Sequence, residues 1–293
     1  MKEAMEMNVT TINYTEDGRV YLEVYLPDIP SEDTPLFPAL ISCPGGGWMF
    51  HTTSEGEGIA STFLQEGFAS FVLHYSVGEY SAFPNPLIEI SWAIRTVREH
   101  ASEWHIDPKK IVIAGFSAGA TVAALSATQW TDPRITETLG GEKELYRPDA
   151  ALLGYGVYNL STIFEGTPFA ALAGALSAGA VPDDIRETLL SAGFTLGQFT
   201  ANSNKEVNVV HYVTPETSPC FLIQTRNDEF VPVKNAYMLA EKLDEAKVPY
   251  ELHVFGSGKH GVFADPSLKD ENDTGTDLWV SLCVAWLKAV LKF

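Results

Sequence analysis

The stretch that decides the fold is Lys110-Ile-Val-Ile-Ala-Gly-Phe-Ser-Ala-Gly-Ala-Thr-Val-Ala-Ala-Leu125. An apolar run from Ile111 to Ile113 leads into the pattern G-x-S-x-G, and good helix formers follow at once. A strand, a sharp turn and a helix in this order predict a nucleophile elbow, in which the hydroxyl of Ser117 is exposed above the sheet. Gly115 and Gly119 suit such a turn because side chains there would collide with the neighbouring strand and helix. A spectator serine in a glycine-rich turn is the alternative.

The alternation of strand and helix continues outward from this elbow. Segments 8–13 and 19–26 predict an opening hairpin or a pair of edge strands, and later apolar strands alternate with helical patterns. This order predicts an α/β fold, with a mainly parallel central sheet and helices on both faces. The later strands are expected at 39–43, 69–75, 111–113, 150–155, 220–224 and 250–255, and the helices at 58–66, 118–125, 234–245, 277–291 and from the prolines at 84 and 86 to Trp104.

The regular alternation breaks between residues 158 and 213. Apolar helices are expected at 169–180 and 182–192, outside the strand–helix repeat. We therefore predict one domain over residues 1–293, with a small helical cap or lid insert at 158–213. A dimerisation surface built from the same residues is the alternative, so a homo-oligomer stays open.

Composition narrows the classes of partner. The chain has 293 residues, and its 19 Lys and Arg against 38 Asp and Glu give a formal charge of −19, which argues against nucleic acid and anionic membranes as partners. The three cysteines, Cys43, Cys220 and Cys283, each lie in an apolar run, so we expect buried free thiols. No metal-ligand spacing appears, so neither a metal nor a cofactor is expected. The N-terminal residues lack the apolar core of a signal peptide, which predicts a soluble cytoplasmic protein. The expected partner is a small molecule.

Reactive or unusual residues follow four of the predicted strands. Ser117 is the first, and the run Gly45 to Gly47 after strand 39–43 is the second. Successive glycines let backbone N–H groups point into one concavity, and together with the N–H of Ala118 they could hold the oxyanion of an acyl-transfer intermediate. A glycine-rich turn without a chemical role is the alternative.

An acid and a base follow the last two strands. Asp228 and Glu229 come after strand 220–224, and Asp228 is the better candidate because the residues after it restart the chain towards a helix. His260 lies in a glycine-flanked loop after strand 250–255, whereas most of the other histidines fall inside predicted strands or helices. Ser117, Asp228 and His260 thus occur in the order of a nucleophile, an acid and a base on this kind of sheet. A surface acid and a structural histidine are the alternatives.

These motifs together resemble the α/β-hydrolase superfamily, and most closely its branch of small bacterial carboxylesterases and acetyl-xylan-esterase-like proteins, relatives of the hormone-sensitive lipases. The matching stretches are Pro44-Gly-Gly-Gly-Trp48, 93–119, Asp228-Glu-Phe-Val-Pro232 and Gly256-Ser-Gly-Lys-His-Gly261. Pro44 stands where many lipase-like relatives have histidine, which argues for the esterase branch. The resemblance implies a triad and an oxyanion hole formed by the N–H groups of Gly46, Gly47 and Ala118.

The same resemblance implies hydrolysis of short-chain carboxylic esters, acetyl esters and acetylated sugars among them. Trp48, Phe50 and His51 follow the glycine run and could bound the substrate pocket, although core packing is an equal alternative for Trp48. A peptidase or amidase on the same fold and a non-catalytic binding protein are the two competing functions.

Overall fold

A computed structural model describes residues 9–293 apart from 30, 32, 161, 163–206 and 274. Within these residues eight strands form one sheet. The strands are β1 (Thr10–Asn13), β2 (Tyr21–Tyr25), β3 (Phe37–Cys43), β4 (Ala69–His74), β5 (Ile106–Phe116), β6 (Ala150–Gly154), β7 (Cys220–Thr225) and β8 (Tyr250–Phe255), in the order β1-β2-β4-β3-β5-β6-β7-β8.

The sheet is parallel from β4 to β8, and β2 runs against all the other strands. β1 pairs with β2, and β2 with β4, in antiparallel register, whereas every other ladder is parallel. β6 and β7 are buried at every residue. Strands covered on both faces have no solvent side, which explains why the central strands are continuous apolar runs without polar alternation. The prediction of a mainly parallel sheet is confirmed.

Six α-helices of the described chain cover the two faces of the sheet. Phe63 of the first helix and Trp279 of the last pack in one hydrophobic cluster, while Ile94 and Leu125 belong to the larger cluster on the opposite face. The sheet therefore lies between two helical layers, as predicted. The helices are α1 (Ile59–Gln65), α2 (Asn85–Glu99), α3 (Ala118–Gln129), α4 (Pro133–Leu139), α5 (Lys234–Glu245) and α6 (Trp279–Leu291).

The approach to the elbow differs from the prediction in two respects. α2 ends at Glu99 and does not reach Trp104, since His100 leaves the helical conformation with φ −90° and ψ 5°. A turn follows, and His105 leads into β5 with a left-handed φ of 57°. β5 begins at Ile106, before the predicted apolar run, but it leaves the ladder with β3 between Ile106 and Ile111. Trp104 is nevertheless buried. The apolar spacing that predicted a longer helix therefore arises from a buried turn after α2.

Only the two ends of the predicted insert are described. Tyr158 and Leu160 at its start and Val207 and Val209 at its end pack in the main hydrophobic cluster. The side chain of Asn235 in α5 holds the first end by accepting hydrogen bonds from the N–H groups of Tyr158 and Asn159. Residues 163–206, with the expected helices at 169–180 and 182–192, lie outside the described residues. The single domain and the cap at 158–213 therefore stay predictions.

Membrane-spanning helices, metal-binding clusters and disulfides are absent from the described residues. None of the described helices combines the length and apolarity needed to span a bilayer. No group of three His, Cys, Asp or Glu side chains in this part of the chain could hold a metal ion. The three cysteines are free and buried, as the sequence predicted.

Candidate active site

Ser117 occupies the sharp turn between β5 and α3. Its backbone angles are φ 53° and ψ −120°, a combination that costs a non-glycine residue free energy and is found most often at functional sites. Its N–H donates to the carbonyl of Gly154 at 2.9 Å, which ties the turn to β6. This geometry is that of the predicted nucleophile elbow.

The glycine loop after β3 packs directly against this turn. A Cβ added at Gly119 would run into the carbonyl oxygens of Cys43 and Pro44. A Cβ at Gly45 would lie 2.8 Å from Cβ of Ser117. Real Cβ atoms do not approach so closely, so the two loops are in contact only because both positions are glycine.

Asp228 and His260 complete a hydrogen-bonded series with Ser117. Nδ1 of His260 lies 2.8 Å from Oδ2 of Asp228, and Nε2 lies 2.9 Å from Oγ of Ser117. A carboxylate can only accept, so Nδ1 carries the proton and the lone pair on Nε2 faces the serine hydroxyl. The structure thus brings together three side chains that are separated by up to 143 positions in the sequence.

Asp228 is held in place by its own turn. Its Oδ1 accepts hydrogen bonds from the N–H groups of Phe230 and Val231, both at 2.9 Å. The side chain of Asp228 is 1% exposed, and that of His260 is 19% exposed. The Asp228 carboxylate is therefore shielded from water, while the His260 ring stays partly accessible.

The loops that carry the acid and the base are linked to each other. Asn227, next to Asp228, accepts from the N–H of Gly258 at 3.0 Å and donates to the hydroxyl of Ser257 at 2.9 Å. The hydroxyl of Thr225 donates to the carbonyl of Gly258 at 2.8 Å. These bonds hold the two loops, and therefore Asp228 and His260, in one relative position.

Three backbone N–H groups remain for an oxyanion. Those of Gly46, Gly47 and Ala118 donate to no acceptor within the described part of the chain. Gly46 and Gly47 have φ values of 123° and 61°, which let the chain curl around the turn at Ser117. Ala118 is the first residue of α3, where the helix itself leaves N–H groups unpaired and favours negative charge.

Trp48 and His51, which the sequence predicts at the substrate pocket, are largely packed against other side chains. Trp48 is 3% exposed and packs in the larger hydrophobic cluster. The ring of His51 contacts the rings of His74 and Tyr75 edge to face, and burial lowers its pKa to about 4, with the nearby His74 adding to the shift. Phe50 is the exposed aromatic side chain of this segment. The role of Trp48 and His51 in substrate binding stays a prediction.

Two residues next to the site were not among the predicted ones. Glu55 is a buried acid that contacts the glycine loop. The ring of Tyr155 meets the His260 ring edge to face, with centroids 4.9 Å apart. Tyr155 comes directly after β6, at the same sheet edge as the other site residues, so its place after a strand was a usable signal. Glu55 carries no such signal, because it follows no strand and lies in a short π-helix before α1.

The family model described as BD-FAE matches residues 22–243 of the chain. Endo-1,4-beta-xylanase B of Butyrivibrio fibrisolvens is 34% identical over 231 residues, which are 76% of this chain and 32% of that protein. The chain spans less than two thirds of the length of each of the first curated relatives that it matches.

Solved structures match over nearly their full length. The acetyl ester-xyloside bifunctional hydrolase of Caldicellulosiruptor lactoaceticus has a TM-score of 0.70 at 27% identity, covering 92% of this chain and 88% of the other. A carboxylesterase of Lactobacillus plantarum WCFS1 has a TM-score of 0.75 at 26% identity, with coverage of 97% and 98%. The predicted fold and family resemblance are confirmed: the chain has the α/β-hydrolase fold and belongs to the BD-FAE family.

Proposed function

We propose that this protein is a serine carboxylesterase that hydrolyses short-chain esters through Ser117, His260 and Asp228. The observation that carries the proposal is the series of two hydrogen bonds, 2.9 Å from Ser117 to His260 and 2.8 Å from His260 to Asp228, on a serine with a positive φ. The esterase names of the matched carboxylesterase and acetyl ester-xyloside hydrolase support the same reaction class.

The reaction proceeds in two acyl transfers. Nε2 of His260 takes the hydroxyl proton as Oγ of Ser117 attacks the ester carbonyl carbon, and Asp228 stabilises the imidazolium that forms. The negative oxygen of the tetrahedral intermediate is bound by the N–H groups of the glycine loop and of Ala118. The intermediate collapses, the C–O bond to the alcohol breaks and His260 returns the proton to the leaving oxygen. Water, deprotonated by His260, then attacks the acyl carbon. The bond to Oγ breaks, His260 returns the proton to Oγ of Ser117, and the carboxylic acid leaves.

Acetyl esters are the proposed substrates, with acetylated sugars as the natural class. Support comes from the printed names of relatives: an acetyl ester-xyloside hydrolase among the solved structures and an acetylxylan esterase at 31% identity over 40% of this chain. A panel of acetylated sugars, simple aryl acetates and p-nitrophenyl octanoate, compared by kcat/KM, tests this part. A preference for octanoyl over acetyl esters would refute it.

Turnover by a Ser117→Ala variant tests the mechanism. We expect kcat for p-nitrophenyl acetate to fall by at least about 10⁴-fold, because no nucleophile remains to form the acyl-enzyme. Ser126→Ala is the matched control, since Ser126 is a buried serine on α3 whose hydroxyl has no hydrogen-bond partner among the described residues. Undiminished turnover in Ser117→Ala would refute the mechanism. Faster turnover of p-nitroacetanilide than of the acetate ester would instead favour an amidase.

A further inference from the structure

Glu55 is a buried carboxylate with three hydrogen-bond donors around it. It is 5% exposed and lies in a short π-helix, Ser54–Gly58, just before α1. Its Oε2 accepts from the N–H of Gly45 at 2.8 Å and from the hydroxyl of Thr52, and its Oε1 accepts from the hydroxyl of Tyr155 at 2.6 Å. No lysine, arginine or histidine of the described chain forms an ion pair with Glu55, so these donors alone stabilise the buried acid.

The first contact of Glu55 is with the glycine loop that faces Ser117. Because Gly45 lies against Ser117 and donates its N–H to Glu55, the carboxylate holds the beginning of the loop at a set distance from the nucleophile. The next two residues, Gly46 and Gly47, supply the unpaired N–H groups. An oxyanion donor acts only when it is aimed at the place where negative charge develops, so a small shift of the loop weakens it.

The second contact of Glu55 leads to the base. Tyr155 has a left-handed φ of 40°, which is unfavourable for a bulky side chain and is maintained by the surrounding packing. Its ring is nearly perpendicular to the ring of His260, at 77°. Burial, followed by the charge of Glu55, raises the pKa of the Tyr155 hydroxyl well above its usual value. The hydroxyl therefore stays protonated and donates to Glu55.

We propose that Glu55 and Tyr155 are positioning residues for the hydrolysis: Glu55 holds the oxyanion loop, and Tyr155, anchored by Glu55, sets the orientation of the His260 ring. The inference rests on the proposed function and adds to it a link between the oxyanion donors and the base. Neither residue touches the reacting atoms; each acts through a residue that does.

Conservative variants separate this role from a purely structural one. Glu55→Gln keeps the shape of the side chain but puts an NH₂ group in place of one acceptor oxygen, so it faces either the Gly45 N–H or the Tyr155 hydroxyl. We expect kcat to fall by about 10- to 100-fold with KM changed less than about threefold, because the loss concerns the transition state. Tyr155→Phe keeps the ring on His260 and loses only the anchor, so a smaller fall of about 3- to 10-fold is expected.

Two matched controls remove similar groups elsewhere. Glu89→Gln neutralises a carboxyl that is 4% exposed and accepts from the N–H and hydroxyl of Ser76, and that within the described residues forms no hydrogen bond to the glycine loop or to Tyr155. Tyr158→Phe removes an equally buried tyrosine hydroxyl that does not bond to Glu55. Both controls are expected to keep the kcat of the wild type, whatever they do to the free energy of unfolding.

The assay is p-nitrophenyl acetate hydrolysis, with kcat expressed per Ser117 labelled to completion by a fluorophosphonate. This normalisation removes any loss due to unfolded protein. The Glu55→Gln, Tyr155→Phe double variant tests the link, since residues that act as one unit give a double variant no worse than the poorer single one. If the fold-losses in kcat of the two single variants multiply in the double variant, the link between the glycine loop and His260 is refuted.

The failure of this inference and that of the proposed function give different results. If the wild-type protein shows no hydrolysis that depends on Ser117, the proposed function is overturned and this inference with it. Wild-type turnover that depends on Ser117, together with unchanged kcat per labelled site in Glu55→Gln and Tyr155→Phe, would overturn only the inference. A fall in kcat of the same size in Glu89→Gln would also overturn it, because any buried carboxyl would then have the same effect.

Discussion

Replacing Asp228 by asparagine changes one atom of the site and reverses one hydrogen bond. In the wild type Oδ1 accepts two backbone N–H groups at 2.9 Å, and Oδ2 accepts from Nδ1 of His260 at 2.8 Å. Asparagine keeps the oxygen on the backbone side, since an NH₂ there would face two donors. The NH₂ group then faces His260, which must turn to the tautomer with its proton on Nε2. That tautomer cannot accept the proton of Ser117.

The size of the loss follows from the bonds involved. A hydrogen bond to a charged group contributes about 1.5–3 kcal/mol, and forcing a buried donor against another donor costs about 1–3 kcal/mol more. Together these are about 2.5–6 kcal/mol in the transition state, and each 1.36 kcal/mol is a factor of ten in rate. We therefore expect the kcat of Asp228→Asn to fall between about 10²- and 10⁴-fold, with little change in folding because the turn keeps its acceptor.

Steady-state hydrolysis of p-nitrophenyl acetate, together with urea unfolding, measures both expectations. Asp273→Asn is the matched control. Its Oδ1 also accepts two backbone N–H groups, from Gly275 at 3.1 Å and Thr276 at 3.0 Å, in a turn outside the triad. A less than tenfold fall in the kcat of Asp228→Asn would refute the tautomer argument. An equal fall in Asp273→Asn would assign the loss to the turn and not to His260.

Two further predictions concern the glycine loop and stability in acid. Gly45→Ala places a Cβ 2.5 Å from Oε2 of Glu55, so kcat should fall about 10²- to 10³-fold. Gly58→Ala, whose Cβ meets nothing nearer than 3.8 Å, should keep its activity, and comparable losses in both variants would contradict the steric reason. The pKa of His51 is about 4 in the folded protein, whereas histidine in an unfolded chain has a pKa of about 6.5. Between these two pH values the unfolded chain binds more protons than the folded one. The free energy of unfolding should therefore fall by about 3 kcal/mol as the pH drops from about 6.5 to 4. Urea unfolding of His51→Phe should show a shallower decline than the wild type, and parallel curves would refute the assignment.

Much of the sheet could be read from the sequence because burial on both faces leaves a local signal. β6 and β7 are continuous apolar runs for that reason, and they were placed to within a residue or two. The sequence places the end of α2 too late because Trp104 is buried at helical spacing although the helix has already ended at Glu99. Apolar spacing reports which side chains are buried, and a turn can bury them as well as a helix can.

The sequence by itself determined the order of strands and helices, the elbow at Ser117 and the candidates Asp228 and His260. Each of these leaves its mark within a few neighbouring residues, as a glycine pattern or as a position after an apolar strand. Only the tertiary structure decided that His260 lies within 2.9 Å of Ser117, and that Glu55 lies between Gly45 and Tyr155. A buried carboxylate is stabilised by donors that folding brings from distant parts of the chain, and no spacing in the sequence around Glu55 records where those donors come from.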